Sequence, residues 1–197
     1  MKKNYRFNYN IDKKLKNLNF GHNSKVIWFF GLSGSGKSTI SNELEKLLFS
    51  NKIATTVIDG DDLRAGLNSD LGFEFKDRSE NIRRVSELSK ILINNGQVVL
   101  CSLITPLEEY RKLANKILNR KNICWVFVDT SIKDCISRDP KGLYKLALKG
   151  KIKNFTGIDQ DYEIPEDYDI KIDGTTDPKS NAESIIKLLD KIIKHEK

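Results

Sequence analysis

The segment that most constrains this chain is residues 31–38, which read Gly-Leu-Ser-Gly-Ser-Gly-Lys-Ser. It follows the apolar run 26–30 and precedes a helical pattern that begins near Lys37. The spacing G-x-x-x-x-G-K-[ST] between a strand and a helix is typical of a phosphate-binding loop, because glycine-rich backbone can wrap a phosphate with its N–H groups pointing inward. An ordinary turn is the alternative, but the complete and correctly flanked octet favours a nucleoside triphosphate site.

The residue types in this octet also indicate how a triphosphate is held. Lys37 is expected to reach the β- and γ-phosphates, and the Ser38 hydroxyl is expected to bind Mg²⁺. The predicted nucleotide-binding residues are Gly31, Leu32, Ser33, Gly34, Ser35, Gly36, Lys37, Ser38 and Thr39.

Length and charge narrow the class of protein. A chain of 197 residues is long enough for one domain with a full core. None of its apolar runs approaches the roughly 18–20 residues of a membrane span. The net charge of +7 suits either nucleic acid or small polyanions. Because no nucleic-acid-binding motif is recognisable, we favour small anionic ligands and expect no membrane or nucleic-acid partner.

The N-terminus and the cysteines bear on the compartment. Residues 1–23 are polar and basic, unlike a secretory signal, and the three cysteines have neither metal-site spacing nor an even number. We therefore expect a cytoplasmic protein. Residues 1–24 form a basic extension with interspersed aromatic residues; a flexible tail is the simpler interpretation, and a lid over an anionic ligand is the alternative.

Apolar strand-like runs alternate with helix-like patterns along the rest of the chain. The predicted strands are residues 25–30, 52–58, 97–103, 123–128 and 168–172. The predicted helices are residues 37–50, 77–95, 106–119, 131–137, 143–149 and 178–195. This alternation predicts an α/β domain over residues 25–197 with the three-layer P-loop NTPase fold, a five-stranded and mainly parallel sheet with helices on both faces. Ligands are then expected at the carboxyl ends of the strands.

The acidic residues favour a kinase among the proteins that carry such a loop. The chain has no Asn-Lys-x-Asp motif for guanine, and the predicted strand 97–103 ends without the aspartate found in many ATPases. The carboxylates instead follow the second strand, as Asp59, Asp61 and Asp62. A turn is the alternative for this segment, but a carboxylate beside the phosphate loop can orient or deprotonate a substrate hydroxyl.

A second anion site is predicted from a cluster of four arginines and one asparagine around two aromatic residues. The cluster comprises Arg64, Arg78, Asn81, Arg83 and Arg84, with Phe73 and Phe75 between them. Arginine binds phosphate or sulfate bidentately, and aromatic rings stack on bases. Ion pairs with neighbouring acids are the alternative on a helix, and they are favoured for Arg84.

Five segments resemble the adenylylsulfate kinase (APS kinase) family, and the resemblance spans residues 25–173. They are residues 59–68 (DGDDLRAGLN), 70–73 (DLGF), 77–84 (DRSENIRR), 138–144 (RDPKGLY) and 153–159 (KNFTGID). The resemblance implies transfer of a phosphoryl group from ATP, with Mg²⁺, to the 3′-hydroxyl of adenosine 5′-phosphosulfate. It also implies a role in sulfate assimilation and a homodimer.

The resemblance implies the following roles. Asp61 orients or deprotonates the hydroxyl and lies near Mg²⁺, so Ser38 and Asp61 are the implied metal residues. Lys141 stabilises the transferring phosphoryl group from a lid over residues 138–159, and Arg138 lies against the ATP adenine. The implied acceptor-site residues are Asp61, Asp62, Arg64, Asn68, Phe73, Arg78, Asn81, Ile104, Thr105, Lys141, Gly142, Leu143, Asn154 and Phe155. Phe73 and Phe155 are the implied adenine sandwich.

Two departures from the family pattern concern the acceptor site. Thr105 stands where the family has serine, so a hydroxyl is kept at this position. The implied catalytic residues are Lys37, Asp61, Thr105 and Lys141. Asp62 stands where asparagine is common. They leave open a related kinase that acts on another nucleotide hydroxyl, such as a cytidine-diphosphate-linked compound of surface-polysaccharide synthesis.

Overall fold

The computed structural model describes residue 7 and residues 9–193. Five parallel strands form one sheet in the order β2-β3-β1-β4-β5. The strands are β1 Val26–Phe30, β2 Thr55–Asp59, β3 Val98–Ser102, β4 Ile123–Asp129 and β5 Ile170–Asp173. The helices are α1 Lys13–Phe20, α2 Lys37–Ser50, α3 Gly60–Ala65, α4 Phe75–Asn94, α5 Glu108–Leu118, α6 Ile132–Arg138, α7 Leu143–Leu148 and α8 Pro178–Ile193. The predicted fold class is confirmed.

The sheet is covered on both faces, which explains why its strands are almost continuously apolar. All five residues of β1 are fully buried. Side chains on one face pack with α2 and α8, and those on the other face pack with α4 and α5. The core therefore holds the carboxyl ends of the strands at one edge, where the loops of the site emerge.

Most predicted boundaries differ from the observed ones by no more than two residues. The largest difference is at β2, which begins at Thr55 and not at Lys52. Lys52 has a φ of 59° and its N–H bonds to Phe49, so it completes the turn that ends α2. The last two residues of the predicted helix 178–195 lie outside the described residues.

The N-terminal extension contains a docked helix, so the prediction of a flexible tail is wrong for residues 13–24. Asp12 caps α1 by accepting from the Leu15 N–H, and Gly21 ends the helix at a φ of 71°. The Ser24 hydroxyl donates to the Ile93 carbonyl, and His22 accepts from the Ala54 N–H.

The partners of this segment show where it lies. Lys13 donates to Asn122, which directly precedes β4, and Lys16 donates to Asn95, three residues before the start of β3. The helix therefore packs at the amino ends of the strands, across the sheet from the phosphate loop, and this part of the extension is no lid over the site of its own chain. Residues 1–6 and 8, which belong to the same predicted extension, lie outside the described residues.

Candidate active site

A cleft of about 760 Å³ opens at the carboxyl ends of the strands. Its walls come from the phosphate loop, the β2–α3 junction, the loop after β3, the start of α4 and the segment 138–156. Parallel strands bring these loops together because their carboxyl ends share one edge of the sheet. The cleft thus joins motifs that are more than one hundred residues apart in the sequence.

The phosphate loop has the conformation that its glycines were expected to allow. Gly31 and Gly36 have φ values of 151° and 106°, which favour glycine. A Cβ on Gly31 would lie 2.5 Å from the Val128 carbonyl oxygen, so β4 also requires glycine there. The buried Thr130 hydroxyl donates to the Ser35 carbonyl at 2.9 Å and supports the loop from behind.

Lys37 is buried at the floor of this loop. Its ammonium donates to the carbonyl oxygens of Gly31 at 3.1 Å and Leu32 at 2.7 Å. Burial lowers the pKa of Lys37 to about 8, although the nearby Cys135, Asp59 and Asp61 oppose the shift. A phosphate at this position would stabilise the charged form of the lysine.

The carboxylate next to Ser38 is Asp59, which was absent from the residues assigned to the site. The Ser38 hydroxyl donates to Asp59 Oδ2 at 2.5 Å, and Asp59 Oδ1 accepts from the Asp61 N–H as the cap of α3. Hydroxyl and carboxylate oxygens are the donors that Mg²⁺ prefers. The sequence carried a signal for Asp59, since it ends β2 in the Asp-Gly-Asp-Asp segment.

Asp61 has a different partner. Its carboxylate forms an ion pair with the ammonium of Lys141, which comes from the other side of the cleft. Both side chains are more than half exposed. The geometry therefore brings together Asp61, expected to accept the proton of the acceptor hydroxyl, and Lys141, expected to stabilise the transferring phosphoryl group. The expected role of Asp61 in metal binding remains a prediction.

The segment that carries Lys141 is held over the cleft from two sides. The Tyr144 hydroxyl donates to the Ser33 carbonyl at 3.0 Å, which ties α7 to the phosphate loop. Phe155 packs edge-on against Tyr144 with ring centroids 4.9 Å apart. Arg78 Nη2 donates to the Asn154 carbonyl at 2.7 Å, which ties the other end of the segment to α4.

The arginine cluster separates into two groups. Arg64 lies over the Phe73 ring at 4.2 Å, Arg78 Nε donates to the Phe73 carbonyl, and all three residues line the cleft. Burial lowers the pKa of both guanidinium groups, so an anion beside them would be stabilising. Arg83 and Arg84 instead pair with acids outside the cleft, and the ion-pair alternative for Arg84 is confirmed.

The loop after β3 is strained and held by buried donors. Thr105 has a φ of 44°, which is unusual for a β-branched residue, and its hydroxyl accepts from Trp28 Nε1 at 2.9 Å. The buried Arg111 donates to the carbonyls of Thr105 and Pro106 at 3.3 Å. The hydroxyl of Thr105 therefore has a structural role, as the acceptor of the hydrogen bond from Trp28. A serine hydroxyl, which the family has at this position, could accept the same bond.

Most of the assigned residues line the cleft, including the predicted nucleotide contacts Ser33, Thr39 and Arg138. Arg138 donates to the Gly174 carbonyl at 3.0 Å. Six assigned residues are not part of the lining: Gly31, Leu32, Ser35, Asp62, Asn68 and Gly142. Asn68 is buried, and its amide donates at 2.8 Å to Oδ1 of Asn81, which does line the cleft.

Several lining residues were not assigned from the sequence. They are Asp59, Gly60, Ile82, Ser102, Leu103, Pro106, Tyr110, Asp139, Pro140, Tyr144, Ile152, Lys153 and Thr156. Six of them are apolar residues or glycine, whose residue types carry no chemical signal of their own: Gly60, Ile82, Leu103, Pro106, Pro140 and Ile152. Within the described residues, no group of three or more His, Cys, Asp or Glu side chains could hold a metal ion. None of the described helices combines the length and the apolar character that a membrane span needs.

Comparison with known proteins identifies relatives of this chain. Residues 23–173 match the family model described as adenylylsulphate kinase. The adenylyl-sulfate kinase of Buchnera aphidicola subsp. Acyrthosiphon pisum is 49% identical over 169 residues, which are 86% of this chain and 82% of the relative. The adenylyl-sulfate kinase of Pseudomonas aeruginosa is 45% identical and covers 91% of this chain and 92% of its own length. Among solved structures, the Mycobacterium tuberculosis APS kinase CysC in complex with AMPPNP and APS has a TM-score of 0.83 at 44% identity, over 85% of this chain and 98% of that one.

Proposed function

This chain belongs to the adenylylsulfate kinase family, and we propose that its cleft transfers the γ-phosphoryl group of ATP to the 3′-hydroxyl of adenosine 5′-phosphosulfate. The product is 3′-phosphoadenosine 5′-phosphosulfate, an activated sulfate. The proposal rests on one observation: Asp61 and Lys141 form an ion pair in the cleft. The phosphate loop on the donor side suits a triphosphate. The wall formed by Arg64, Phe73 and Arg78 suits an aromatic nucleotide with an anionic tail.

On the donor side, the phosphate loop and Lys37 hold the triphosphate through backbone N–H groups and one ammonium. The hydroxyl of Ser38, at the start of α2, and the carboxylate of Asp59, at the end of β2, fit Mg²⁺, because both offer hard oxygen donors. Asp61 belongs to the same α3 turn and remains a proposed outer ligand. When bound, Mg²⁺ supplies positive charge that neutralises the phosphate oxygens.

On the acceptor side, the half-buried guanidinium groups of Arg64 and Arg78 suit the phosphosulfate. The Phe73 ring lies against Arg64, and Phe155 also lines the cleft. Two aromatic rings that line one cleft suit an adenine base. Asn81, oriented by Asn68, would add a polar contact.

The chemical step follows from these placements. The acceptor hydroxyl attacks the γ-phosphorus in line with the bond to the leaving diphosphate, and the Asp61 carboxylate accepts its proton. Lys141 must leave its ion pair with Asp61 for this to occur. Its ammonium can then stabilise the charge of the transferring phosphoryl group, while the segment 138–159 excludes water.

The experiment measures ATP consumption with adenosine 5′-phosphosulfate beside a panel of other nucleotides, and identifies the product by mass. We expect selective turnover of adenosine 5′-phosphosulfate that Asp61→Asn lowers by at least ~100-fold, because a positioned base is lost. Asp167→Asn is the matched control, since it also breaks one exposed ion pair but lies outside the cleft. No turnover of adenosine 5′-phosphosulfate, with turnover of a cytidine-diphosphate-linked compound, would refute the proposed acceptor.

Three further statements are part of this proposal. The enzyme requires Mg²⁺, which loss of activity in excess chelator would support. It acts in the cytoplasm, in line with its three buried free cysteines. It is a homodimer, as is common in the family, and light scattering should give about twice the 22.6 kDa of one chain.

A further inference from the structure

The last residue of β3 has a side chain that the activity described above does not use. Ser102 is only 4% exposed, yet it contributes to the lining of the cleft. Its hydroxyl has no hydrogen-bond partner among the residues that the structure describes. Since buried polar groups are almost always paired, this hydroxyl is expected to have a partner that is not part of the protein.

The sheet determines what lies near this hydroxyl. In the parallel register, Ser102 is the partner of Asp59 on β2 and of Phe29 on β1. Side chains alternate along a strand, and Leu100, two residues earlier, packs in the core beneath α2. Ser102 therefore lies on the α2 side of the sheet, the side on which Ser38 bonds to Asp59.

The chemistry of Mg²⁺ suits such a position. Mg²⁺ demands octahedral geometry and keeps several water molecules, so few protein groups bind it directly and others bind its waters. Asp59 already accepts from the Ser38 hydroxyl and from the Asp61 N–H. The hydroxyl of Ser102, on the strand residue paired with Asp59, is a further buried oxygen on this side of the sheet.

We propose that the Ser102 hydroxyl accepts a hydrogen bond from a water molecule of the Mg²⁺ that Ser38 and Asp59 hold. Ser102 is then a positioning residue, which acts on the metal through water and does not contact the transferring group. This inference rests on the metal site of the proposed function. This role of Ser102 explains how β3 can end without the aspartate found in many ATPases. The neighbouring β2 supplies the carboxylate of Asp59, and β3 supplies the neutral hydroxyl of Ser102.

The test measures Mn²⁺ binding in the presence of saturating ADP, followed by the electron paramagnetic resonance signal of free Mn²⁺. Ser102→Ala is expected to weaken Mn²⁺ binding about tenfold, the usual range for a lost outer contact. ADP affinity in excess chelator should be unchanged. The thermal midpoint without metal should be equal or higher, since the variant removes a buried hydroxyl that has no protein partner.

Ser86→Ala is the matched control. Ser86 is a fully buried serine on α4 whose hydroxyl also has no partner among the described residues, and it does not line the cleft. It should leave Mn²⁺ binding unchanged.

The outcomes separate this inference from the proposed function. Wild-type Mn²⁺ affinity in Ser102→Ala would overturn the role of Ser102 while leaving the metal site intact. A loss of ADP affinity in chelator that equals the loss of Mn²⁺ affinity would overturn it too, because the contact would then be to the nucleotide. If ADP does not enhance Mn²⁺ binding to the unaltered enzyme, the proposed metal site itself is wrong and the inference falls with it.

Discussion

Binding of ADP at alkaline pH should be coupled to uptake of a proton by Lys37. Its ammonium is buried beneath the phosphate loop, and this burial lowers the pKa from 10.5 to about 8 in the free protein. At pH 9 about nine tenths of Lys37 is then neutral. The phosphates of ADP favour the charged form, so the complex should take up about 0.9 proton at pH 9 and about 0.2 at pH 7.5.

The same shift determines the affinity and the stability of the free protein. Between pH 7.5 and 9 the ADP affinity should fall about eightfold, or about 1.2 kcal/mol, since Lys37 must first be protonated. The lysine of the unfolded chain keeps a pKa near 10.5, so the unfolded state binds more protons between pH 8 and 10.5. The free energy of unfolding should therefore rise through this window, by up to about 3 kcal/mol from Lys37 alone.

Isothermal titration calorimetry measures the proton uptake directly, when ADP is titrated in excess chelator in two buffers of different ionisation enthalpy. Four other groups interact with Lys37: Cys135, Asp59, Asp61 and Lys141. Burial raises the pKa of the Cys135 thiol above its ordinary value, which opposes release of a proton from that thiol in this range. Lys37→Arg is the control, because a guanidinium stays protonated and the uptake should vanish.

A flat ADP affinity between pH 7.5 and 9, together with an uptake below about 0.2 proton at pH 9, would refute the reasoning. It would mean that Lys37 is already fully charged in the free protein. The acids near the lysine would then outweigh its burial.

Three substitutions test other parts of the structure. Arg78→Ala should lower kcat/KM for the acceptor at least ~100-fold in the steady-state assay. Arg84→Ala is the control: the ion pairs of Arg84 lie outside the cleft, so kcat/KM of this variant should stay within about threefold of the unaltered enzyme. Thr105→Val leaves the indole N–H of its partner buried without an acceptor, and urea denaturation should show a loss of about 1–3 kcal/mol that Thr105→Ser does not show. Gly96→Ala places a Cβ 2.6 Å from the Phe20 ring at a φ of 87°, so the thermal midpoint should fall by several degrees with KM unchanged; a raised KM would place α1 near the site after all.

The local motifs of the sequence were sufficient to predict the fold and the edge of the sheet at which the cleft opens. The octet 31–38 forms its loop because its glycines adopt positive φ values and its lysine folds back onto the loop. Both features depend on residues that are adjacent in the sequence. Alternating apolar runs require a parallel sheet covered on both faces, and that arrangement collects the loops at one edge. The docking of α1 was missed because its contacts are with residues that precede distant strands.

Which members of each cluster enter the site was decided by the tertiary structure. Arg78 and Arg84 lie on the same helix, but only Arg78 meets the segment 138–159, while Arg84 finds Asp70. Asp59 bonds to Ser38 because their strand and helix converge there, whereas the family resemblance had implied Asp61 as the carboxylate near the metal. Residue type and order along the chain determined which chemistry was present, whereas the partner of each side chain depended on contacts between residues far apart in the sequence, which only the folded sheet brings together.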